Sequence, residues 1–317
     1  MNHLLPTATT SDEKGRGADC AVLPVGSFEQ HGDYLPLITD TIIASAISRE
    51  LANAYPLLQL PPVTISCSHE HSAWRGTVSI SSSTLHSIID DIYRSLTDAG
   101  LTSLAILNCH GGNYILANIV QEGSAQGKRM ALFPSSRDWT DARQSAGFTT
   151  SNHEDMHAGE LETSILLHVN PELVREGYHA ADWTADDRRH LLTTGMSGYT
   201  RNGVIGRPSL ASAEKGKALL ASFVESFASV LEILQRALPK PPPRKQQANL
   251  FSATEVPGAT LMQQPRGCEP RQIRGNERLT TLAALPRPLQ ATELGIAIAS
   301  LAIEYTGQRC STMIIRA

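Results

Sequence analysis

The segment PVGSFEQHGDYLPLITD (24–40) places Glu29, His31 and Asp40 among glycines and prolines, directly after an apolar run. Glu29 and His31 flank Gln30, so in extended backbone their side chains leave on the same side. The loop containing Gly32 and Pro36 is long enough to fold back and bring Asp40 near them. Imidazoles and carboxylates gathered in this way suit a divalent cation in a hydrolase, which also needs an open position for water. More donors follow. NCHGGN (108–113) sets His110 before a Gly111–Gly112 turn, where the backbone can approach a ligand closely, and Asn113 can bond a loop or a substrate. MHAGELETS (156–164) adds His157, Glu160 and Glu162, and SHEH (68–71) adds His69, Glu70 and His71.

Each donor also has a structural reading. Asp40 opens the apolar-periodic stretch DTIIASAISRELANAY, where it fits a helix N-cap. Glu160 and Glu162 open another helix and can serve its dipole. His110 suits a turn, and His69 and His71 suit a loop. The weight comes from coincidence, because the clusters fall at one edge of the expected sheet.

That sheet is legible as four short apolar runs, CAVLPVG (20–26), LLQLPPVTI (57–65), LTSLAILN (101–108) and RMALFPSS (129–136). Helical periodicity covers 40–55, 82–100, 114–127, 157–169 and 214–238. Strands alternating with helices predict an α/β fold, a parallel sheet with helices on both faces, which binds ligands beyond the carboxyl ends of its strands. Residues 1–19 read as a flexible N-terminus and 20–238 as the folded domain. PKPPPRKQQ (239–247) is a proline-rich linker, followed to residue 317 by a basic extension expected to be largely disordered.

The 317-residue chain carries a formal charge of −4, which gives no reason to expect nucleic acid. No uninterrupted apolar run reaches the roughly 18 residues that span a bilayer, so no membrane partner is expected. The N-terminus lacks a basic segment followed by an apolar one, so no secretory signal is expected. Five scattered cysteines argue against a disulfide framework and a CxxC zinc site, and a reduced cytoplasmic enzyme is expected.

Four of these segments, LPVGSFEQHGDYLPLITD, NCHGGN, HAGELETS and GVIGRPSLASAEKG (203–216), resemble in order the signatures of the creatininase (creatinine amidohydrolase) family. The resemblance spans about residues 20–236. It implies a three-layer α/β/α sandwich, a hexameric homo-oligomer and a two-metal hydrolytic site. By the same resemblance Glu29 and His110 bind one metal, His31 and Glu162 the other, Asp40 bridges both, and His157 moves protons. The metals are divalent, zinc first, with manganese and iron as alternatives. Creatininase proper has an acidic residue where this chain has Gly112, and its ligand role is transferred to Glu162. The HGGN form is more similar to the branch containing formamide deformylases and the peptidase that trims the mycofactocin precursor.

The function expected on this basis is two-metal hydrolysis of a C–N amide bond, other than an ordinary peptide bond, in a cyclic amide, formamide or short peptide. Hydroxide between the cations attacks the carbonyl, His157 protonates the leaving nitrogen and Glu160 orients His157. His71, Gly111, Gly112 and Asn113 contact the substrate, a small molecule or short peptide. The alternatives are a peptidase acting on a mycofactocin-type precursor, a lactone hydrolase on the same site, and a non-catalytic scaffold.

Overall fold

The computed structural model describes residues 5–236. The expected linker and basic extension lie outside the described residues. Strands β1 (Cys20–Val25), β2 (Leu57–Gln59), β3 (Ser103–Asn108) and β4 (Arg129–Phe133) form an all-parallel sheet in the order β2-β1-β3-β4. Helices α1 (Thr10–Arg16), α2 (Thr39–Ala54), α3 (Ser82–Asp98), α4 (Ile115–Ala125), α5 (Ser136–Ser145), α6 (Glu160–Val169), α7 (Leu191–Thr194) and α8 (Ala213–Gln235) surround it.

Strand pleating explains the layers. Ala21, Leu23 and Val25 of β1, with Leu104 and Ile106 of β3, pack against Leu85 and Ile89 of α3 and Leu116 of α4. Cys20 and Val22, with Ala105 and Leu107, join Ile43 and Ile47 of α2, Ile165 of α6, and Phe223 and Phe227 of α8. Alternate side chains thus enter opposite cores, as a parallel sheet covered on both faces requires. The expected α/β/α architecture is the observed one.

Several expectations are corrected. Strand β2 stops at Gln59 because Pro61 and Pro62 cannot donate to a ladder. The chain rejoins the sheet only through Val63, whose N–H donates to Pro24 O at 2.9 Å. Residues 10–16, read as loose, form α1. Its Thr9 and Asp12 make a reciprocal capping box, and Gly17 closes it at φ 62°. Helix α5 was not expected. A second capping box, Ser135 with Asp138, starts it. Asp40 is not an N-cap: Ile38 holds that place, and Asp40 lies in the first turn of α2. Helix α8 is, by length and composition, apolar enough to cross a membrane. An uninterrupted-run criterion misses it because charged residues interrupt the sequence. Its Leu219, Leu220, Phe223, Phe227 and Leu234 are buried in the core.

Candidate metal centre

Strand order reverses between β1 and β3, since β2 lies on one side of β1 and β3 on the other. Open parallel sheets bind ligands beyond the carboxyl ends at such a point. Ser27, Glu29, Gln30 and His31 follow β1 there, and His110 follows β3. Asp40 is brought in by the first turn of α2, which approaches so closely that a Cβ at Gly26 would overlap Thr41. His157 and Glu162 come from the start of α6.

Among the described residues, three groups of donors converge closely enough to hold a cation: Glu29–Asp40–His110, His31–Asp40–Glu162, and Glu29–His31–His157. Asp40 divides its oxygens between the first two. Oδ1 lies 3.1 Å from His31 Nε2, and Oδ2 lies 3.0 Å from His110 Nδ1. Oδ2 also accepts from Ser27 Oγ at 2.8 Å. The rings are oriented from behind. His31 Nδ1 donates to Glu29 O at 3.0 Å, and His110 Nε2 donates to Cys67 O at 2.9 Å. Each neutral ring therefore turns a lone pair toward carboxylates. Neither side-chain oxygen of the buried Glu29 makes a well-formed hydrogen bond, although His110 Nδ1 and His71 Nε2 lie 3.1 and 3.2 Å from Oε1. Converging acceptors with an orphaned buried carboxylate are what a bound cation resolves. The residues present fit a metal site.

Without a cation, protons take its place. Burial opposes the charged form of His31, but Asp40, Glu162 and Glu29 outweigh it and raise the pKa to about 9. His110 is raised well above the ordinary value: burial opposes the charge, while Glu29 and Asp40 win. Burial, followed by the neighbouring Asp40 charge, pushes Glu162 up to about 8 against the pull of His31. Asp40 is held well below the usual carboxylate range, because the two imidazoles overcome its burial. A cation must displace the protons on His31, His110 and Glu162. Zinc titrated into metal-free protein at pH 7 is therefore expected to release protons, and its affinity to climb toward pH 9. Calorimetry in two buffers of different ionisation enthalpy checks this. The stability signs agree. The raised imidazoles stabilise fully below about pH 6.5, and the His31 contribution is lost as pH rises through about 9. Burying Glu162 costs increasingly from about pH 4.5 to 8. Metal-free protein should lose Tm from pH 6.5 to 9, and loaded protein should not.

His157 is fully enclosed, and its Nε2 donates to Gln30 O at 2.7 Å. Nδ1 is left facing Glu29 Oε1 at 3.9 Å. Burial, reinforced by the nearby His31 charge, drives its pKa well below the ordinary value, so the ring is neutral. His71, expected in the pocket wall, also packs against Glu29 Oε1 at 3.2 Å. Its Nδ1 accepts from the Gln30 amide at 2.9 Å. Gln30 thus positions two imidazoles, a role that the reading of the sequence missed.

Glu160 does not reach His157. Its carboxylate accepts from Thr150 Oγ1 at 2.6 Å and pairs with Lys215. The helix period separates it from Glu162, which turns inward and accepts the Ala158 N–H at 2.6 Å. Ala158 adopts φ 49°, a left-handed conformation unusual for a residue with a Cβ. Asn113 spends its side chain on neighbouring loops. Its amide accepts from Cys67 N at 3.1 Å and donates to Asn108 Oδ1 at 3.0 Å, tying two loops together. Gly111 and Gly112 do line the central cavity of about 170 Å³, with Asp40, His71, His110, His157 and Glu162.

Asp155 was also missed. Its oxygens accept from the first N–H groups of α6, Glu160 N at 2.6 Å and Leu161 N at 3.0 Å. Arg143 Nη2 clamps it at 2.9 Å. The signal was an acid one turn before a helix start, capping from a distance rather than at the N-cap.

Comparison with known proteins gives the family and the fold. The creatinine amidohydrolase (Creatininase) family profile matches residues 7–231. A mycofactocin precursor peptide peptidase of Mycobacterium ulcerans is 32% identical over 221 residues, covering 66% of this chain and 82% of the relative. Creatinine amidohydrolase of Pseudomonas putida is 24% identical over 239 residues, covering 67% and 89%. Among solved structures, creatininase with manganese is similar in fold, with a TM-score of 0.59 at 23% identity, covering 71% of this chain and 96% of that one. With the profile spanning most of the described residues and the signature donors at one sheet edge, the chain belongs to the creatininase family.

Proposed function

We propose that this protein is a two-metal hydrolase that cuts a C–N amide bond in a short peptide. The observation that carries the reading is Asp40, which offers one oxygen to each of two donor groups. Glu29, Asp40 and His110 would hold one cation and His31, Asp40 and Glu162 the other. Zinc or manganese suits such imidazole and carboxylate donors. Bound there, the cations supply Lewis acidity toward carbonyl and water.

The protein's own groups do the rest. Gln30 O fixes the His157 proton on Nε2, so Nδ1 is free to accept a proton at the cavity and pass it to the departing nitrogen. Gly111 lines the cavity with backbone alone, and Gly112, lacking a Cβ, leaves room for the Glu70 side chain beside His110. The expected preference for a small non-peptide amide gives way to the peptide alternative. The M. ulcerans peptidase is 32% identical, against 24% for the P. putida creatinine amidohydrolase. Three free buried cysteines among the described residues, Cys20, Cys67 and Cys109, suit the proposed reducing cytoplasm.

The test is a panel of short peptides, including the end of a mycofactocin-type precursor, set beside creatinine, formamides and lactones. Metal-free protein is assayed before and after loading with zinc or manganese. Metal-dependent peptide cleavage is expected. Preferential turnover of creatinine or a formamide would overturn the peptide assignment, and lactone turnover would overturn the C–N bond. His157→Ala should lose about 10²-fold in kcat, the lower end for a general acid–base group, and keep both metals. Loss of metal in that variant would make His157 a ligand with Glu29 and His31.

A further inference from the structure

Among the described residues, Glu70 is the one carboxylate lining the central cavity that the proposed chemistry leaves unused. It lies in the 3-10 turn His69–His71 that follows β2. Its Oε1 is 3.4 Å from His110 Nε2, but that N–H is already given to Cys67 O at 2.9 Å. Among the described residues the Glu70 carboxylate has no other polar partner, and its side chain is only 16% exposed. It belongs to none of the donor groups that can hold a cation. With the His110 Nε2 proton committed to Cys67 O, this mostly enclosed carboxylate keeps acceptor capacity that a cationic ligand can use.

The surroundings hold this carboxylate in place. A Cβ at Gly112 would overlap Glu70 Oε1, so the missing side chain of Gly112 makes its room. Gly195 packs against the Glu70 main chain, where an added Cβ would stand 2.9 Å from the carbonyl oxygen. Glu70 is also a shared wall. It lines the central cavity with Asp40 and His110, and an outer cavity of about 320 Å³ with Tyr114, Leu192 and Ser197. Tyr114 and Leu192 are 61% and 81% exposed there. Across the centre, a third cavity of about 310 Å³ is lined by Ser136, Trp139 and Arg143. In that arm the charge is spent: Arg143 is engaged by Asp155, Asn152 and Thr150. Each arm has the volume of a small ligand site, and the two differ in free charge.

We infer that Glu70 is a specificity-determining residue that binds an ammonium group of the substrate beside the scissile amide, with the adjoining residue seated against Tyr114 and Leu192. The inference rests on the peptide-hydrolase reading for the identity of the chain that bears the ammonium. Two sources share this chemistry, a free α-amino terminus and a lysine side chain, and the test separates them.

Metal-loaded full-length protein and Glu70→Gln are compared on matched peptides: free amino terminus, N-acetylated, and lysine replaced by norleucine. Glu70→Gln should raise KM about tenfold or more for whichever ammonium-bearing peptide is used, the loss of one charge-assisted hydrogen bond. Its kcat should stay within about threefold, its metal content should be unchanged, and neutral peptides should be unaffected. Equal effects on charged and neutral peptides would overturn the inference, and so would loss of metal, which would make Glu70 a ligand. Binding of leucinamide and N-acetyl-leucinamide, followed by calorimetry, keeps the two readings apart. If the loaded protein cleaves no peptide yet binds leucinamide tenfold more tightly than Glu70→Gln does, the ammonium site stands and the peptide reading falls. If neither amide distinguishes the two proteins, the ammonium site falls.

Discussion

Replacing Asp40 by Asn is expected to lower kcat/KM by about 10³-fold or more, beyond the ~10–100-fold typical of losing an outer partner of a metal ligand. The cause is geometric. Oδ1 faces His31 and Oδ2 faces His110, so the two donor groups meet through a single carboxylate. Asparagine keeps the shape but has one acceptor oxygen. Its NH₂ would point donor hydrogens at one of the two positions. Metal content should fall to at most one cation per chain. The fold should survive, because Asp40 is not the N-cap of α2 and the helix does not depend on its side chain. Elemental analysis, far-UV circular dichroism and a thermal melt of the metal-free variant separate these effects. Full activity with two cations bound would remove Asp40 as the bridge.

The sequence carries the layered fold clearly because its signal is local. Ala21, Leu23 and Val25 alternate with Cys20 and Val22, and the two sets enter different cores. Glycines and prolines mark where those runs stop. Helix α5 escaped because it is short and mostly polar, with only Trp139 and Ala142 to mark its apolar face, although Ser135 and Asp138 mark its start. Glu29, His31, Asp40, His110 and Glu162 were legible as donor types near strand and helix ends. Their division into two groups sharing Asp40 came only through the family resemblance, because residue types and spacing do not show that Gly26 admits α2 against the end of β1. Glu70 was noticed only as part of a His-Glu-His run. Its place in the site depends on the side chain that Gly112 lacks, and a missing atom leaves no positive mark in a sequence. Gln30 was passed over between two metal-ligand types, although its carbonyl and amide set both His157 and His71.

Glu160 and Glu162 give the second large prediction, because two residues of separation on a helix send them to unlike surroundings. Glu162 faces His31 and Asp40, with its Oε2 3.8 Å from His31 Nε2. Glu160 is fully buried between Thr150 and Lys215. Glu162→Gln should therefore lose the cation next to His31, so that metal content halves and activity falls by a factor comparable to Asp40→Asn. It should not weaken the metal-free fold, because a buried carboxylate beside the Asp40 charge is itself a cost, and an amide removes the charge. Glu160→Gln should do the opposite. Its amide oxygen can still accept one hydrogen bond, but Lys215 loses its counter-charge, at a cost of about 1–3 kcal/mol. That stability loss should appear in the melt while metal content stays at two. If Glu160→Gln instead loses metal and Glu162→Gln keeps it, the ligand is the wrong glutamate. The inward turn of Glu162 at the left-handed Ala158 would then be only a helix-start device, with its carboxylate serving the Ala158 N–H.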